Sequence, residues 1–163
     1  MTREQFIAHV ESSQRAFRRF LVALCCGDSA LADDIAQESL IKAYLSSDGF
    51  NSPDKFNAWI YRIGYNTFLN HKRAARPTTD YDAARDIASD AETDGAYRYQ
   101  ELYAALNSLP PKERTSILLF YIEDYSVKEI AGIVGVSQDA VKQHLSRGRS
   151  HLRGLLKTTQ KTY

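Results

Sequence analysis

The chain has 163 residues, of which 44% are hydrophobic and 25% charged, a balance that predicts one or two compact domains and excludes an intrinsically disordered chain. Its longest apolar runs are residues 20–26 and 117–122, far shorter than the ~18 residues of a membrane-spanning helix. No leader-peptide pattern opens the chain. We therefore expect no membrane insertion and a cytoplasmic location. The formal net charge of +1 conceals two basic blocks, residues 1–79 and 101–163, on either side of an acidic one, residues 80–100, which indicates two nucleic-acid-binding modules joined by a spacer that avoids DNA.

The first half of the sequence predicts three helices, because apolar residues recur at helical spacing and no alternating runs bounded by hairpin turns are present. Gly27 ends the first helix and Pro77 ends the third. The stretch between the second and third helices, residues 46–54, is rich in loop-forming residues. The expected helices span residues 3–26, 28–45 and 54–75.

Two adjacent cysteines, Cys25 and Cys26, end the first predicted helix. Adjacent cysteines fit neither the disulfide framework of a secreted domain nor the paired spacing of a zinc site. Because they lie in an apolar run, we expect packed core thiols; a redox-sensing pair is the alternative.

The second predicted helix has a mixed outer face. One face can turn toward the core and includes Ile35, Ala36, Leu40, Ala43 and Tyr44. A different face carries three polar residues beside one exposed aliphatic residue: Asp34, Gln37, Glu38 and Ile41. This pattern favours a protein-docking surface; an ordinary solvated helix face is the alternative. A metal site built from Asp33, Asp34 and Glu38 is disfavoured, because no Glu-x-x-His pattern or second carboxylate helix completes it.

The third predicted helix combines cations with aromatic side chains. Residues 59–76 contain four basic residues and no acid, and Asn66 and Asn70 lie one turn apart, so that both amides can face one groove or strand. Cations that follow phosphates, beside rings that stack on bases, predict a surface for single-stranded nucleic acid, with Tyr61 and Tyr65 as the expected aromatic contacts. The alternative is that rings and aliphatic side chains at helical spacing belong to the core, as we expect for Phe56, Trp59 and Ile63.

A polar, acidic segment at residues 77–98 is interpreted as a linker. The helical pattern resumes at Tyr99, is interrupted at Pro110 and Pro111, and continues over residues 113–122. The fold prediction is therefore all-α, with a three-helix domain and a four-helix domain on either side of a flexible acidic linker: residues 1–76, 77–98 and 99–163.

Residues 126–149 have the most specific pattern in the chain. Ser126 and Glu129 match a capping box before a short helix, Gly135 is placed to end that helix in a left-handed conformation, and Ser137 can cap the next helix. From residue 137 onward the chain has six Lys or Arg residues against one acid. The second helix has an inner apolar stripe formed by Val141, Leu145, Gly148, Leu152 and Leu155. A capped helix pair with a cationic second helix predicts a DNA-binding helix-turn-helix; an ordinary helical hairpin is the alternative.

Taken in order, these motifs resemble the extracytoplasmic-function class of bacterial RNA polymerase sigma factors. ADDIAQESLIKAY is similar to the family's helix that docks on the polymerase clamp, and FNAWIYRIGYNTFLNHKR to the helix that engages the −10 element. LPPKERTSILLFYIEDYSVKEIAGIVGVSQDAVKQHLSRGR resembles the domain that reads the −35 element. One departure is His144, at a position where the family commonly has arginine.

The resemblance implies a role for each of three surfaces. The polymerase clamp would meet Asp34, Gln37, Glu38 and Ile41. The loop at residues 46–53 would capture a base flipped from the non-template strand, and melted −10 DNA would meet Asn51, Tyr61, Arg62, Tyr65, Asn66, Asn70, Lys72 and Arg73. The duplex −35 element would meet Ser137, Gln138, Lys142, Gln143, Ser146, Arg147 and Arg149.

The partners implied by the resemblance are core RNA polymerase, promoter DNA and an anti-sigma factor that controls activity. No cofactor, metal ion or catalytic residue is implied, because the polymerase performs the chemistry. Three alternatives stay open: a free-standing helix-turn-helix regulator that binds its operator without polymerase, a metal-dependent nuclease, and an adaptor for an inhibitory protein.

Overall fold

The computed structural model describes residues 1–75 and 94–160. These residues form helices and no strands, which confirms the all-α prediction. The helices, in chain order, are α1 (Arg3–Leu24), α2 (Ser29–Leu45), α3 (Phe56–Ala75), α4 (Asp94–Asn107), α5 (Pro111–Tyr121), α6 (Val127–Val134) and α7 (Gln138–Gln160). The loop predicted between α2 and α3 contains two short 3₁₀ turns, Ser47–Gly49 and Pro53–Lys55.

The predicted linker lies mainly outside the described residues. Residues 94–98, which were expected in the linker, belong to the first turns of α4. The remaining expected linker residues, 77–93, and the neighbouring Arg76 are not described.

In the first domain, α2 packs against both α1 and α3. A buried aromatic and aliphatic core holds the three helices together, with Phe17, Phe20, Leu21, Ile35 and Phe68 all less than 3% exposed. Gly64 permits a close crossing of α1 and α3, because a Cβ atom there would lie 2.6 Å from Cε1 of Phe17. The first helix ends two residues before the predicted position, and Cys26 and Gly27 both adopt positive φ angles after it.

In the second domain, α7 packs against α5 and α6. The capping box is present, since the Ser126 hydroxyl accepts a hydrogen bond from the Glu129 amide while the Glu129 carboxylate accepts one from the Ser126 amide, each at 3.1 Å. Gly135 ends α6 with a φ of 77°, as predicted, and the Ser137 hydroxyl accepts a hydrogen bond from the Ala140 amide. The helix-turn-helix geometry is therefore fixed by local sequence.

The inner stripe of α7 is confirmed for Val141, Leu145 and Gly148, which are buried. Leu152 is half-buried and packs against the core. Leu155, which was also expected on this stripe, is 41% exposed, and among the α7 side chains that the structure describes Leu152 is the last one packed against the core.

The two domains pack against each other through α1 with α5 and α3 with α6. Cys25 and Cys26 are 7% and 5% exposed, which confirms the prediction of packed thiols. Burial is the main reason that the pKa of Cys25 is raised to about 12, and Asp28 adds to this effect. Both thiols are therefore uncharged and poorly nucleophilic at neutral pH.

Candidate functional site

The outer face of α2 carries the residues expected to dock on a protein. Asp34 and Gln37 are exposed, and 61% of the Ile41 surface is accessible. The Glu38 carboxylate lies 2.8 Å from Nε2 of His71 and 3.1 Å from Nζ of Lys42. The hydrogen bond with His71, followed by that with Lys42, lowers the pKa of Glu38, so this face carries a fixed negative charge that is tied to α3.

An apolar patch continues this face toward the C-terminal end of α2. Tyr44 is 47% exposed and Leu45 is 76% exposed. The expectation that Tyr44 faces the core is wrong, because its ring contacts the first domain through an edge-to-face arrangement with Phe6 at 5.4 Å and remains half in solvent. An exposed apolar patch with a polar rim is typical of a protein interaction site. We call Ile41, Tyr44 and Leu45 the α2 patch.

The loop between α2 and α3 presents a stacked pair of rings. Phe50 and Trp59 lie with their planes 8° apart and their centroids separated by 4.3 Å, and both are partly accessible. Asn51 follows directly and is exposed, as expected of a loop residue that meets DNA. Trp59 was expected in the core; instead it packs against the core from the rim. The sequence signal for this pair is one aromatic residue in the middle of the loop and another in the first turn of the helix that follows.

Four polar residues of α3 form one exposed stripe, because the intervals of four, four and three residues bring them to the same face. These are Arg62, Asn66, Asn70 and Arg73, all of which are exposed. We call them the α3 stripe. Trp59 lies one turn before Arg62 on the same face, so the stripe continues toward the stacked rings. Lys72 is also exposed but lies to one side, with its ammonium group 5.6 Å from the ring centroid of Phe68.

Tyr61 and Tyr65, the tyrosines expected to meet nucleic acid, are buried instead, with 2% and 1% exposure. The Tyr61 ring packs against Phe17 and Phe20, and its hydroxyl donates to Oε2 of Glu123 at 3.0 Å. Burial raises the pKa of both tyrosines. The expectation of base stacking by these two rings is therefore corrected: they lie on the inner side of α3, opposite the stripe.

The N-terminal half of α7 and the turn before it present a polar, cationic surface. Most of the residues expected at duplex DNA are exposed: Ser137, Gln138, Lys142, Gln143, Ser146 and Arg147. Arg149 differs, because it is half-buried and its Nη1 donates to the hydroxyl of Tyr121 at 3.1 Å. We call the six exposed residues the α7 surface.

His144 lies at the edge of the α7 surface. It is half-buried, and its Nδ1 atom has no hydrogen-bond partner within the described part of the chain. Burial, with a contribution from Lys112, lowers the pKa of His144, so the ring is neutral at pH 7. The cationic character of the surface therefore comes from Lys142 and Arg147.

Two of the three carboxylates considered for a metal site have other partners. Asp33 accepts a hydrogen bond from Nε of Arg18 at 2.8 Å, and Glu38 is paired with His71 and Lys42. Across residues 1–75 and 94–160, no group of three potential ligand side chains is placed to hold a metal ion. None of the helices within those ranges is long and apolar enough to span a membrane.

Two family models match the chain, one in each domain. The model of sigma-70 region 2 matches residues 9–78. The model of sigma-70, region 4, matches residues 99–152. The two matches thus cover the α2 patch, the α3 stripe and the α7 surface.

Curated relatives agree with these matches. ECF RNA polymerase sigma factor SigW of Bacillus subtilis (strain 168) is 33% identical over 146 residues, which cover 77% of this chain and 75% of SigW. ECF RNA polymerase sigma factor EcfG of Rhodopseudomonas palustris (strain TIE-1) is 29% identical over 157 residues, which cover 94% of this chain and 84% of EcfG.

Two solved structures share the arrangement. The sigma factor RpoE, in complex with the anti-sigma factor NepR from Bartonella quintana, superposes with a TM-score of 0.75 at 29% identity, covering 93% of this chain and 96% of that one. CnrH, in complex with the cytosolic domain of CnrY, gives a TM-score of 0.69 at 26% identity, covering 94% and 88%.

Proposed function

The chain belongs to the extracytoplasmic-function family of RNA polymerase sigma factors, and we propose from its surfaces that its two domains contact separate promoter elements while α2 docks on core polymerase. The proposal is carried by one observation: each domain has its own exposed polar surface with cations. These are the α3 stripe on the first domain and the α7 surface on the second. A protein that holds two elements of one promoter needs such a pair.

The α3 stripe fits melted −10 DNA. Arg62 and Arg73 can follow the phosphates of a single strand, and the amides of Asn66 and Asn70 can hydrogen-bond to base edges. The stacked rings of Phe50 and Trp59 offer a flat surface for an unpaired base, which offsets a few kcal/mol of unpairing. The proposal thus moves the stacking role from Tyr61 and Tyr65 to this pair.

The α7 surface fits the major groove of the −35 duplex. In helix-turn-helix proteins the N-terminal residues of the second helix contact base edges, and here those positions are polar and exposed. Lys142 and Arg147 supply a salt-dependent attraction to phosphates or bidentate contacts to guanine. Arg149 has its Nη1 atom engaged by the hydroxyl of Tyr121, so it offers DNA fewer free donors than Lys142 or Arg147 does.

The α2 patch and the polar residues beside it fit a protein partner. Ile41 and Leu45 are large, exposed and apolar, while Asp34, Gln37 and Glu38 supply polar contacts around them. A central apolar anchor with a polar rim is the usual anatomy of a protein interface. We assign this face to the clamp of core polymerase. We also propose that an anti-sigma factor controls the chain, because RpoE was solved in complex with the anti-sigma factor NepR, and CnrH with the cytosolic domain of CnrY.

Matched alanine variants in a reconstituted system test these assignments. Gln37→Ala should weaken binding to core polymerase, whereas Gln14→Ala, an exposed glutamine on α1, should not. Arg147→Ala should weaken −35 binding by roughly ten-fold or more, whereas Arg153→Ala, with the same charge change on the same helix, should weaken it much less.

The α3 stripe has its own control. Asn66→Ala should reduce opening of the −10 region by the holoenzyme, measured with a fluorescent base analogue in the promoter. Asn57→Ala removes an exposed amide from the opposite face of the same helix and should leave opening unchanged. If the two variants of a pair gave the same polymerase binding, the same −35 binding or the same extent of promoter opening, the assignment of the surface that the pair tests would be refuted. Specific DNA binding by the chain without polymerase would favour the free-standing regulator instead.

A further inference from the structure

One acidic residue lies within the α7 surface. Asp139 is the second residue of α7, and it is exposed. From residue 137 to the end of the chain it is the single acid against six Lys or Arg residues. Among the side chains that the structure describes, none pairs with its carboxylate. Because phosphates repel a carboxylate, such a group fits a surface that meets DNA only where it faces base edges instead.

Asp139 lies near the centre of the exposed face of α7 and not at its edge. Successive residues of an α-helix are rotated by about 100°. The buried residues Val141, Leu145 and Gly148 therefore point, on average, roughly 150° away from Asp139, whereas the exposed Gln143 lies within about 40° of it. The N-terminal residues of such a helix contact base edges in the major groove. The carboxylate is thus on the face, and in the turn, that would meet bases first.

A carboxylate distinguishes the four bases because it can only accept hydrogen bonds. In the major groove, guanine presents two acceptors, and thymine presents one acceptor beside a methyl group, so neither can pair with it. Adenine presents the N6 amino donor next to the N7 acceptor, which opposes the second carboxylate oxygen. Cytosine presents its N4 amino donor alone. An acid at this place on the helix therefore favours cytosine over the other three bases.

We propose that Asp139 is a specificity-determining residue that selects a cytosine within the −35 element, an assignment that rests on the proposed function of the α7 surface. Gln143 lies one turn later, about 6 Å along the helix axis, and its amide is suited to adenine. Because base pairs are spaced by about 3.4 Å, the cytosine lies roughly two base pairs from the base that Gln143 reads. The carboxylate also weakens binding to other sequences, since wrong bases leave it facing acceptors.

Asp139 also has a structural explanation, which makes a different prediction. An acid in the first turn of a helix is stabilised by the helix dipole, in addition to the cap in which the Ser137 hydroxyl accepts a hydrogen bond from the Ala140 amide at 3.1 Å. A dipole effect changes the stability of α7 and acts equally on every DNA sequence. A contact to cytosine changes the preference at a single base position.

Selection from a promoter library tests the assignment. Core polymerase is assembled with the full chain or a variant, and the templates that it transcribes from a library of randomised promoters are sequenced. The wild type should favour cytosine, on one strand at one position of the upstream element, by roughly five-fold or more over each other base. Asp139→Ala should lose that preference. Asp139→Asn should shift it to adenine, because an amide pairs with N6 and N7 of adenine.

Two control variants accompany the selection. Glu101→Gln removes a negative charge from an exposed site on α4 and should retain the cytosine. Gln143→Ala should relax a different position, roughly two base pairs away, and should also retain the cytosine. Thermal unfolding followed by circular dichroism measures the stability of each variant. If Asp139→Ala is too unstable to assemble with polymerase, the shift to adenine in Asp139→Asn decides.

The outcomes separate the cytosine contact from the proposed function. An upstream element that has no cytosine position, or whose cytosine preference survives in both Asp139 variants, overturns the contact and leaves the −35 surface standing. Stronger transcription by Asp139→Asn from all templates alike, with no change at any single position, indicates repulsion alone and also overturns it. If the wild type selects no upstream element at all, the proposed −35 function fails together with the contact.

Discussion

Replacing Gly64 by alanine should push α1 away from α3 and destabilise the first domain. An added Cβ would lie 2.6 Å and 2.8 Å from two ring atoms of Phe17 and 3.5 Å from Cδ2 of Leu21. The Phe17 ring is 2% exposed and stands edge-on against Tyr61, so it has little room to move. Overpacking of this kind costs about 1–3 kcal/mol.

The helix itself gains from the same substitution, since alanine is favoured over glycine by about 1 kcal/mol in a helix interior. The expected net loss is therefore about 0–2 kcal/mol, or up to about 8 °C in Tm for a chain of this size. Gly154→Ala is the control, because a Cβ at this second helical glycine meets nothing within 4 Å and should leave Tm unchanged or raise it.

Thermal unfolding followed by circular dichroism gives these values directly. In a Phe17→Leu background, Gly64→Ala should cost less stability than it does in the wild type, because the smaller side chain vacates the space that the new methyl group needs; this coupling is read from a double-mutant cycle. The close crossing of α1 and α3 would be refuted if Gly64→Ala stabilised the protein as much as Gly154→Ala does, or if the double variant showed no such coupling.

Three further predictions follow from single contacts. Ser126→Ala removes one half of the capping box of α6 and should lower the unfolding free energy by about 1 kcal/mol, measured by urea denaturation; an unchanged midpoint would contradict the cap. The partners of Glu38 lower its pKa, so they stabilise the folded chain when the pH is above the pKa that this carboxyl has in the unfolded chain. This stabilisation is lost as the pH falls through the lower pKa of the folded chain. An NMR titration of His71→Phe should show the Glu38 pKa rising back toward 4.5, and no rise would exclude the contact. The buried thiol of Cys25 should react with Ellman's reagent at pH 8 far more slowly in the native chain than in denaturant; equal rates would contradict its burial.

Local signals in the sequence were sufficient for much of the second domain. The capping box at Ser126, the left-handed residue at Gly135 and the buried face around Val141 and Leu145 depend on neighbours in the chain, so the pattern predicts them directly. Gly27 likewise predicts that the first helix ends nearby, although α1 already ends at Leu24. These positions need no knowledge of how distant segments meet.

Tyr61, Tyr65 and Tyr44 show where such reasoning stops. Helix α3 has aromatic side chains over a wide arc, so periodicity alone does not decide which of them face inward. The burial of Tyr61 depends on Glu123 and Tyr125 of the other domain, which no local pattern reveals. Tyr44 was expected in the core because its spacing fits the inner face of α2. However, α2 ends one residue later, and Tyr44, in its last turn, is half exposed to solvent.

The most direct test of the account is to map the 5′ ends of transcripts that core bacterial RNA polymerase makes from a library of randomised promoters, with and without this chain. The account predicts new start sites in its presence, each preceded by two shared sequence elements, with the upstream element losing its effect in Arg147→Ala and the downstream one in Asn66→Ala. Start sites that are unchanged by the chain, or that share no upstream elements, would contradict it.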